Sequence, residues 1–171
     1  MLRALLRRQL DAAERRLGAP MDYLRFAAEA DPVAVLKFGL LQPATGHRRA
    51  LSPEVFHAAR IAATQTADCG TCVQIEVTAA RRAGVTPEAI RAILAGAAEE
   101  RAVQDAVAFG RACARHEDPG DTLRNRIVAR YGDRGLVELS LAVTTALAYP
   151  TMKRALGYAE ACSVVRVDVD P

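Results

Sequence analysis

The chain has 171 residues, 51% of them hydrophobic and only 5% aromatic, which suits one compact domain with a sizeable core. Ala, Leu, Arg and Glu dominate the composition and favour helix over sheet, so we expect an all-α fold. The net charge of +3 is small and the basic residues are interspersed with acids, which argues against a nucleic-acid partner.

The first predicted element is an amphipathic helix near the N-terminus. Its apolar stripe consists of leucines at positions 2, 5, 6, 10 and 17, and Gly18 with Pro20 ends it. This segment lacks the apolar core of a secretory signal, and no apolar run in the chain approaches the roughly 18 residues of a membrane span. We therefore expect a cytoplasmic protein with no membrane partner.

The next stretch is divided by Pro, Gly and polar residues. Helices are predicted over 22–29 and 32–41, followed by a loop over 42–50 that contains Pro43 and Gly46.

A helix over 53–67 has a clear start signal. Ser52, Pro53 and Glu54 provide an N-cap, a first-turn proline and a first-turn acid. This helix carries His57 about three turns before a pair of cysteines.

Those two cysteines, Cys69 and Cys72, lie near the start of the next predicted helix. Asp68 or Thr66 could cap this helix, which runs to residue 83 before a glycine. At a helix N-terminus the unpaired N–H groups and the macrodipole favour anions, which lowers a cysteine pKa and raises the thiolate fraction. Residues three apart share a helix face, so the two sulfurs can reach disulfide distance. The pair can therefore cycle between dithiol and disulfide.

The second half of the chain is also predicted to be helical. Helices are expected over 87–94, 104–116 and 122–131. A long apolar helix should then run from near Gly132 and Gly135 to residue 149. Pro150 should interrupt it, and a last helix is expected over 151–162. The tail 164–169 alternates like a strand but has no partner strand in the sequence.

A Cys-x-x-Cys pair also occurs in other kinds of site. A thioredoxin-like site needs a strand before the motif, whereas both flanks here are predicted helices. A structural zinc site commonly uses a second pair, but Cys113 and Cys162 are far apart and are expected to be buried small hydrophobes. A mononuclear metal site from the thiols with His57 and Glu76 stays open chemically. We favour a redox-active pair without a metal or a cofactor.

Glu76 and His57 are the candidate partners of the thiols. Glu76 follows Cys72 by four residues and Cys69 by seven, so the three share one stripe of the helix. A partly buried carboxylate there could take the thiol proton, and a nearby imidazolium would balance its charge. The plainer alternatives are an exposed helix acid for Glu76 and a surface or core imidazole for His57.

Residues 52–96, with the helices that follow to about 165, resemble the alkylhydroperoxidase D-like branch of the carboxymuconolactone decarboxylase family. Cys69 and Cys72 match that family's Cys-x-x-Cys at a helix start, and residues 83–88 resemble the turn and helix start that follow it. Two positions carry exchanged residue types, because His57 stands where the family has Glu and Glu76 stands where it has His. The exchange keeps one imidazole and one carboxylate beside the dithiol, so we expect the two to act together.

The resemblance implies a single all-α domain over 1–171, with an N-terminal helical extension 1–50, a family-like helical core 51–165 and a tail 166–171. It implies a homo-oligomer, a trimer or hexamer, with the site near a subunit contact. It also implies a cofactor-free, thiol-dependent peroxidase or disulfide reductase that acts on a hydroperoxide and takes electrons from an unknown dithiol donor.

In the implied reaction Cys72 attacks the peroxide and Cys69 resolves the sulfenic acid as a disulfide. Our hypothesis for the proton relay is that Glu76 accepts the Cys72 proton while His57 holds and charge-balances Glu76. From the residues alone the order of the thiols stays open, because Cys69 is nearer the helix start and feels more of the dipole.

Two other functions remain open from the sequence. One is lactone processing of the carboxymuconolactone decarboxylase kind, which needs no dithiol. The other is a non-catalytic, redox-sensing oligomeric protein in which the disulfide alters assembly without turnover.

Overall fold

The computed structural model describes residues 2–158 and 165–167. All regular structure in these residues is helical, which confirms the predicted all-α class. In chain order the helices are α1 (Leu2–Leu17), α2 (Asp22–Ala30), α3 (Pro32–Gly39), α4 (Gln42–Thr45), α5 (Pro53–Thr66), α6 (Gly70–Arg82), α7 (Pro87–Ala95), α8 (Arg101–Ala114) and α9 (Asp121–Ala155).

Local signals set the starts of the helices that frame the site. Ser52 Oγ accepts a hydrogen bond from the backbone N–H of Val55 at 3.3 Å, and Pro53 is the first helical residue of α5. Thr86 does the same for α7, where its Oγ1 accepts from the N–H of Ala89 at 3.2 Å. These two predicted starts are confirmed.

Three boundaries differ from the prediction. The expected loop over 42–50 contains the short helix α4, and α8 begins at Arg101 rather than at 104. Pro150 lies inside α9 instead of interrupting it, because a proline removes one backbone donor but still allows helical φ and ψ. The break in α9 falls at Gly132, whose φ of 67° favours glycine.

The end of the chain differs as well. The last helix stops at Ala155 rather than 162, because residues 156 and 157 turn and Gly157 has a φ of 79°. Residues 165–167 are irregular rather than a strand, and Gln74 Nε2 donates to the carbonyl of Arg166 at 3.0 Å. Cys162 and the rest of the predicted 164–169 strand lie outside the described residues.

Helix α5 is the centre of the core. Every residue from 55 to 64 is buried, and α6, α7, α8 and α9 all pack against it. Ile61 of α5, Ile90 of α7 and Leu139 of α9 are almost completely inaccessible to solvent. Two charged or titratable side chains of α5 are therefore held inside the protein, and both prove to belong to the candidate site.

Glu138 fixes the chain just before α5. Its buried carboxylate accepts hydrogen bonds from the backbone N–H groups of Ala50 at 2.9 Å and Leu51 at 3.2 Å. Burial raises the pKa of Glu138, but the hydrogen bonds from residues 49–51 outweigh burial, so the pKa lies below its ordinary value. Helix α9 thereby sets the point at which α5 begins.

The N-terminal helices form a second apolar cluster, to which Leu6, Leu10, Met21 and Val35 belong. Ile75 of α6 packs against this cluster, and α1 is in contact with α6. The division into an extension, a core and a tail stays a prediction. In the described part of the chain, no helix is both long and apolar enough to cross a membrane.

Gly110→Ala tests the close approach of α8 to α5. A Cβ at position 110 would lie 2.3 Å from the backbone oxygen of Ala59, so one helix would have to shift. We expect the free energy of unfolding in urea to fall by about 1–3 kcal/mol. Gly39→Ala is the matched control, because no atom lies within 4 Å of its added Cβ. Wild-type stability for Gly110→Ala would contradict this packing.

Candidate active site

The two cysteines meet at the start of α6. Cys69 occupies the N-cap position, Cys72 lies in the first turn, and their sulfur atoms are 2.6 Å apart. Both are free thiols, and they are 4% and 7% exposed. The separation is longer than the roughly 2.05 Å of a disulfide but well inside contact distance. The dithiol is therefore shielded from bulk water and close to the geometry of its oxidised form.

Neither of the expected caps occupies the N-cap position of α6. Thr66 belongs to α5, and its Oγ1 donates to the carbonyl of Ala62 at 2.8 Å. Asp68 has a φ of 51°, in the left-handed region, and it turns the chain between the two helices. This turn puts Cys69 at the helix start, where the backbone N–H groups point towards its side chain.

One hydrogen bond between the thiols sets their acidities apart. The hydrogen bond with the Cys72 thiol lowers the pKa of Cys69 to about 6. Burial acts to raise this pKa, and a hydrogen bond from the backbone N–H of Cys72 acts to lower it further. The same hydrogen bond, together with burial, raises the pKa of Cys72. At neutral pH the pair therefore holds one negative charge, mainly on Cys69, and one proton, mainly on Cys72.

A buried ammonium stands beside the dithiol. Lys153 of α9 is 8% exposed, and its Nζ donates to Oγ1 of Thr71, which lies between the two cysteines, at 3.1 Å. Its positive charge contributes to the lowered pKa of Cys69 and partly offsets the rise in the pKa of Cys72. Helix α9 thus supplies a cation that favours the thiolate.

Glu76 forms a buried ion pair with Arg60 of α5. Arg60 Nε donates to Oε2 and Nη2 donates to Oε1, both at 2.7 Å, and both residues are 5% exposed. Arg60 Nη1 also donates to the carbonyl of Ala142 at 2.9 Å and to Oγ1 of Thr145 at 2.8 Å. The hypothesis that His57 holds and charge-balances Glu76 is therefore corrected: Arg60 does so, because its planar fork matches both carboxylate oxygens.

His57 is a neutral imidazole in the same region. It is 7% exposed, and its Nδ1 has no hydrogen-bond partner among the described residues. Burial lowers the pKa of His57 to about 4, and the charge of Glu76 only partly offsets burial and the nearby Arg60 and Arg48. At neutral pH His57 cannot supply the positive charge that the sequence-based hypothesis required.

Arg60 and Lys153 were missed from the sequence. Arg60 left a signal, because it is the one charged side chain between Glu54 and the end of α5, within a run of small and apolar residues. An arginine in such a run needs a buried anion, and Glu76 on the next helix is a candidate. Lys153 left no comparable signal, because it lies in a mixed segment beyond Pro150.

The site opens on a large cavity. Its volume is about 740 Å³, and it is lined by residues of α1 to α6 and α9. Cys72, His57, Arg60 and Glu76 line it, whereas Cys69 does not. Most of the remaining wall is apolar. Three of the four predicted site residues, His57, Cys72 and Glu76, therefore line the same cavity. The fourth, Cys69, does not line it and is in contact with the sulfur of Cys72.

The metal-site alternative gains no support from this geometry. Within 2–158 and 165–167, no group of three or more His, Cys, Asp or Glu side chains could hold a metal ion. Both oxygens of Glu76 are bonded to Arg60 instead. The catalytic roles of Cys72, Cys69, Glu76 and His57 stay predictions.

Comparison with known proteins finds one family model that is similar to the region of the site. No curated protein and no solved structure matches the chain significantly. The model of the Carboxymuconolactone decarboxylase family matches residues 36–114, a stretch that runs from within α3 to the end of α8. It contains all four predicted site residues and Arg60. Residues 36–114 are therefore similar to the carboxymuconolactone decarboxylase family, which confirms the resemblance found in the sequence.

Proposed function

We propose that the protein is a thiol-dependent peroxidase that reduces an organic hydroperoxide. The observation that carries the proposal is the buried pair of Cys69 and Cys72, whose sulfur atoms lie 2.6 Å apart and which reaches the cavity through Cys72. A thiolate is a nucleophile at neutral pH, and a second thiol at contact distance can resolve a sulfenic acid. A homo-oligomer, a trimer or hexamer, and a cytoplasmic location belong to the same proposal.

The first half-reaction starts with the proton that the thiols share. As the Cys72 sulfur attacks the terminal peroxide oxygen, its proton passes to the Cys69 thiolate across 2.6 Å. The O–O bond breaks, the alkoxide takes the proton back from Cys69, and an alcohol leaves. Cys72 is then a sulfenic acid. The Cys69 thiolate attacks its sulfur, a disulfide forms, and hydroxide leaves as water after taking one proton from solvent.

The second half-reaction needs an external dithiol. The donor attacks the disulfide, passes through a mixed disulfide and is itself oxidised to a disulfide. Two electrons and one proton pass to the pair and the donor's second proton goes to solvent, so the state with one thiolate and one thiol is restored. The overall change converts a hydroperoxide and a dithiol to an alcohol, water and a disulfide without a further cofactor.

The charged neighbours position the thiols in this scheme. Arg60 fixes Glu76, which lies one turn after Cys72, and the positive charge of Lys153 stabilises the Cys69 thiolate. We assign proton acceptance to Cys69 instead of Glu76, because both oxygens of that carboxylate are held by Arg60. His57 is neutral on the cavity wall, where it can hydrogen-bond to the peroxide.

Cys72→Ser tests the peroxidase directly. With cumene hydroperoxide and dihydrolipoamide we expect peroxide consumption to fall by more than about 100-fold, because the attacking sulfur is lost. Cys113→Ser, at a half-buried free thiol on α8, is the matched control and should keep wild-type turnover.

The other outcomes of this experiment separate the remaining functions. Equal turnover by Cys72→Ser and the wild type would exclude the peroxidase. Lactone turnover that survives loss of both thiols would identify the decarboxylase-like activity, and a reversible disulfide without peroxide turnover would identify a redox sensor.

The pH dependence of alkylation tests the charge on the dithiol. In a Cys113→Ser/Cys162→Ser background, the rate of reaction with iodoacetamide should rise through a midpoint near pH 6, because the thiolate forms as the pH passes the pKa of Cys69, about 6. Lys153→Met should move the midpoint up by about one pH unit, because it removes the buried cation. Lys37→Met, at the other lysine of the chain and exposed on α3, should leave it unchanged. An unshifted midpoint in Lys153→Met would refute the assigned role.

Arg60→Met tests the ion pair that positions α6. It leaves the Glu76 carboxylate buried without a partner, so the free energy of unfolding in urea should fall by about 3–5 kcal/mol. The double variant Arg60→Met/Glu76→Leu should recover part of this loss, because no lone charge remains. Arg124→Met, which breaks exposed ion pairs with Asp118 and Asp121, should have little effect. No recovery in the double variant would argue against the pair.

A further inference from the structure

The cavity extends along α6 far beyond the reactive sulfur. Cys72, Ile75, Glu76, Ala79 and Ala83 all line it, at the three- and four-residue spacing of one helix face. At 1.5 Å of rise per residue, the distance from Cys72 to Ala83 is about 16 Å. Hydrogen peroxide would occupy only a small part of such a space.

The part of the cavity wall that α1 supplies is mainly apolar, with Gln9 as a polar residue in its middle. Leu6, Leu10 and Leu17 of α1 line the cavity, and Ile75 of α6 packs against the same apolar cluster. A polar molecule would lose hydrogen bonds to water between these walls, whereas an apolar chain gains by leaving water. The middle of the cavity therefore selects an extended apolar group.

A cation stands at the end remote from the thiols. Arg16, in the last turn of α1, lines the cavity, and Arg82 Nη2 donates to its backbone carbonyl, which places Arg16 near the end of α6. The acids of α1, Asp11 and Glu14, are both paired with Arg25. Within the described residues Arg16 forms no ion pair with a carboxylate. Its charge is available to an anionic group of a ligand.

We propose that the cavity binds a free long-chain fatty-acid hydroperoxide, with the carboxylate at Arg16, the chain between α1 and α6, and the hydroperoxide group at Cys72. The length agrees, because one acyl chain spans about half of the roughly 30 Å hydrocarbon core of a bilayer. The reaction rests on the proposed function: the hydroperoxy acid becomes a hydroxy acid and water while the dithiol becomes a disulfide. Binding of the acid does not depend on that reaction.

The carboxylate contact is tested by binding alone. Myristic acid and the alcohol of the same chain length are titrated against the full chain by displacement of a fluorescent fatty acid. The acid should bind at least about fivefold more tightly than the alcohol, and Arg16→Gln should remove that difference without weakening the alcohol. Arg15→Gln, at the exposed neighbour that does not line the cavity, is the matched control.

The position of the chain is tested by closing the cavity between its ends. Ala79→Phe should lower myristic acid affinity and turnover of a hydroperoxy fatty acid by about tenfold or more, while turnover of tert-butyl hydroperoxide persists. Ala95→Phe, exposed on α7, controls for the added ring, and circular dichroism checks folding.

Several results would overturn the inference. These are equal affinity of the wild type for acid and alcohol, and unchanged acid binding in folded Ala79→Phe. A third is loss of acid binding in Arg15→Gln, or in Arg48→Gln at another arginine that lines the cavity, in place of Arg16→Gln. Absence of any peroxide turnover would defeat the proposed function, and the binding experiments would still decide whether the cavity takes a fatty acid.

Discussion

The guanidinium of Arg60 holds three helices in one arrangement. It binds both carboxylate oxygens of Glu76 on α6 and reaches the Ala142 carbonyl and the Thr145 hydroxyl on α9. A buried charge is tolerated only when its counterion and its remaining donors are satisfied, so few other positions of α6 are compatible with this pair. Because Glu76 lies one turn after Cys72, the ion pair also fixes the rotation of α6 about its axis, and with it the direction of the Cys72 side chain towards the cavity.

Two cations near the dithiol have different surroundings. Lys153 of α9 favours a thiolate on Cys69, while Arg60 of α5 is neutralised by Glu76. His57 is uncharged, so the cavity wall beside Cys72 has little net charge of its own. In the proposed reaction, a neutral peroxide would therefore not be repelled by this wall, and the thiolate charge would lie on Cys69, behind the sulfur of Cys72.

Features with local causes could be predicted from the sequence. The starts of α5 and α7 follow from Ser52-Pro53 and Thr86-Pro87, because a cap bonds to a backbone N–H within three residues. The thiol pair follows from a spacing of three on one helix. The counterion of Glu76 could not be assigned in the same way, because pairing across 16 residues depends on how α5 packs on α6. The place of Lys153 could not be predicted either, because it lies 82 residues from its partner Thr71 and follows Pro150, which suggested an interruption of the helix.

The burial of Cys69 behind Cys72 constrains the order of events in the proposed reaction. Cys72 is the sulfur that lines the cavity, so the oxidant and the thiol donor must use the same entrance, and the fatty-acid chain fills the space that the donor needs. The alcohol therefore has to leave before the donor can enter, and no ternary complex forms. Such an enzyme obeys ping-pong kinetics, and at high concentration each substrate inhibits the half-reaction of the other.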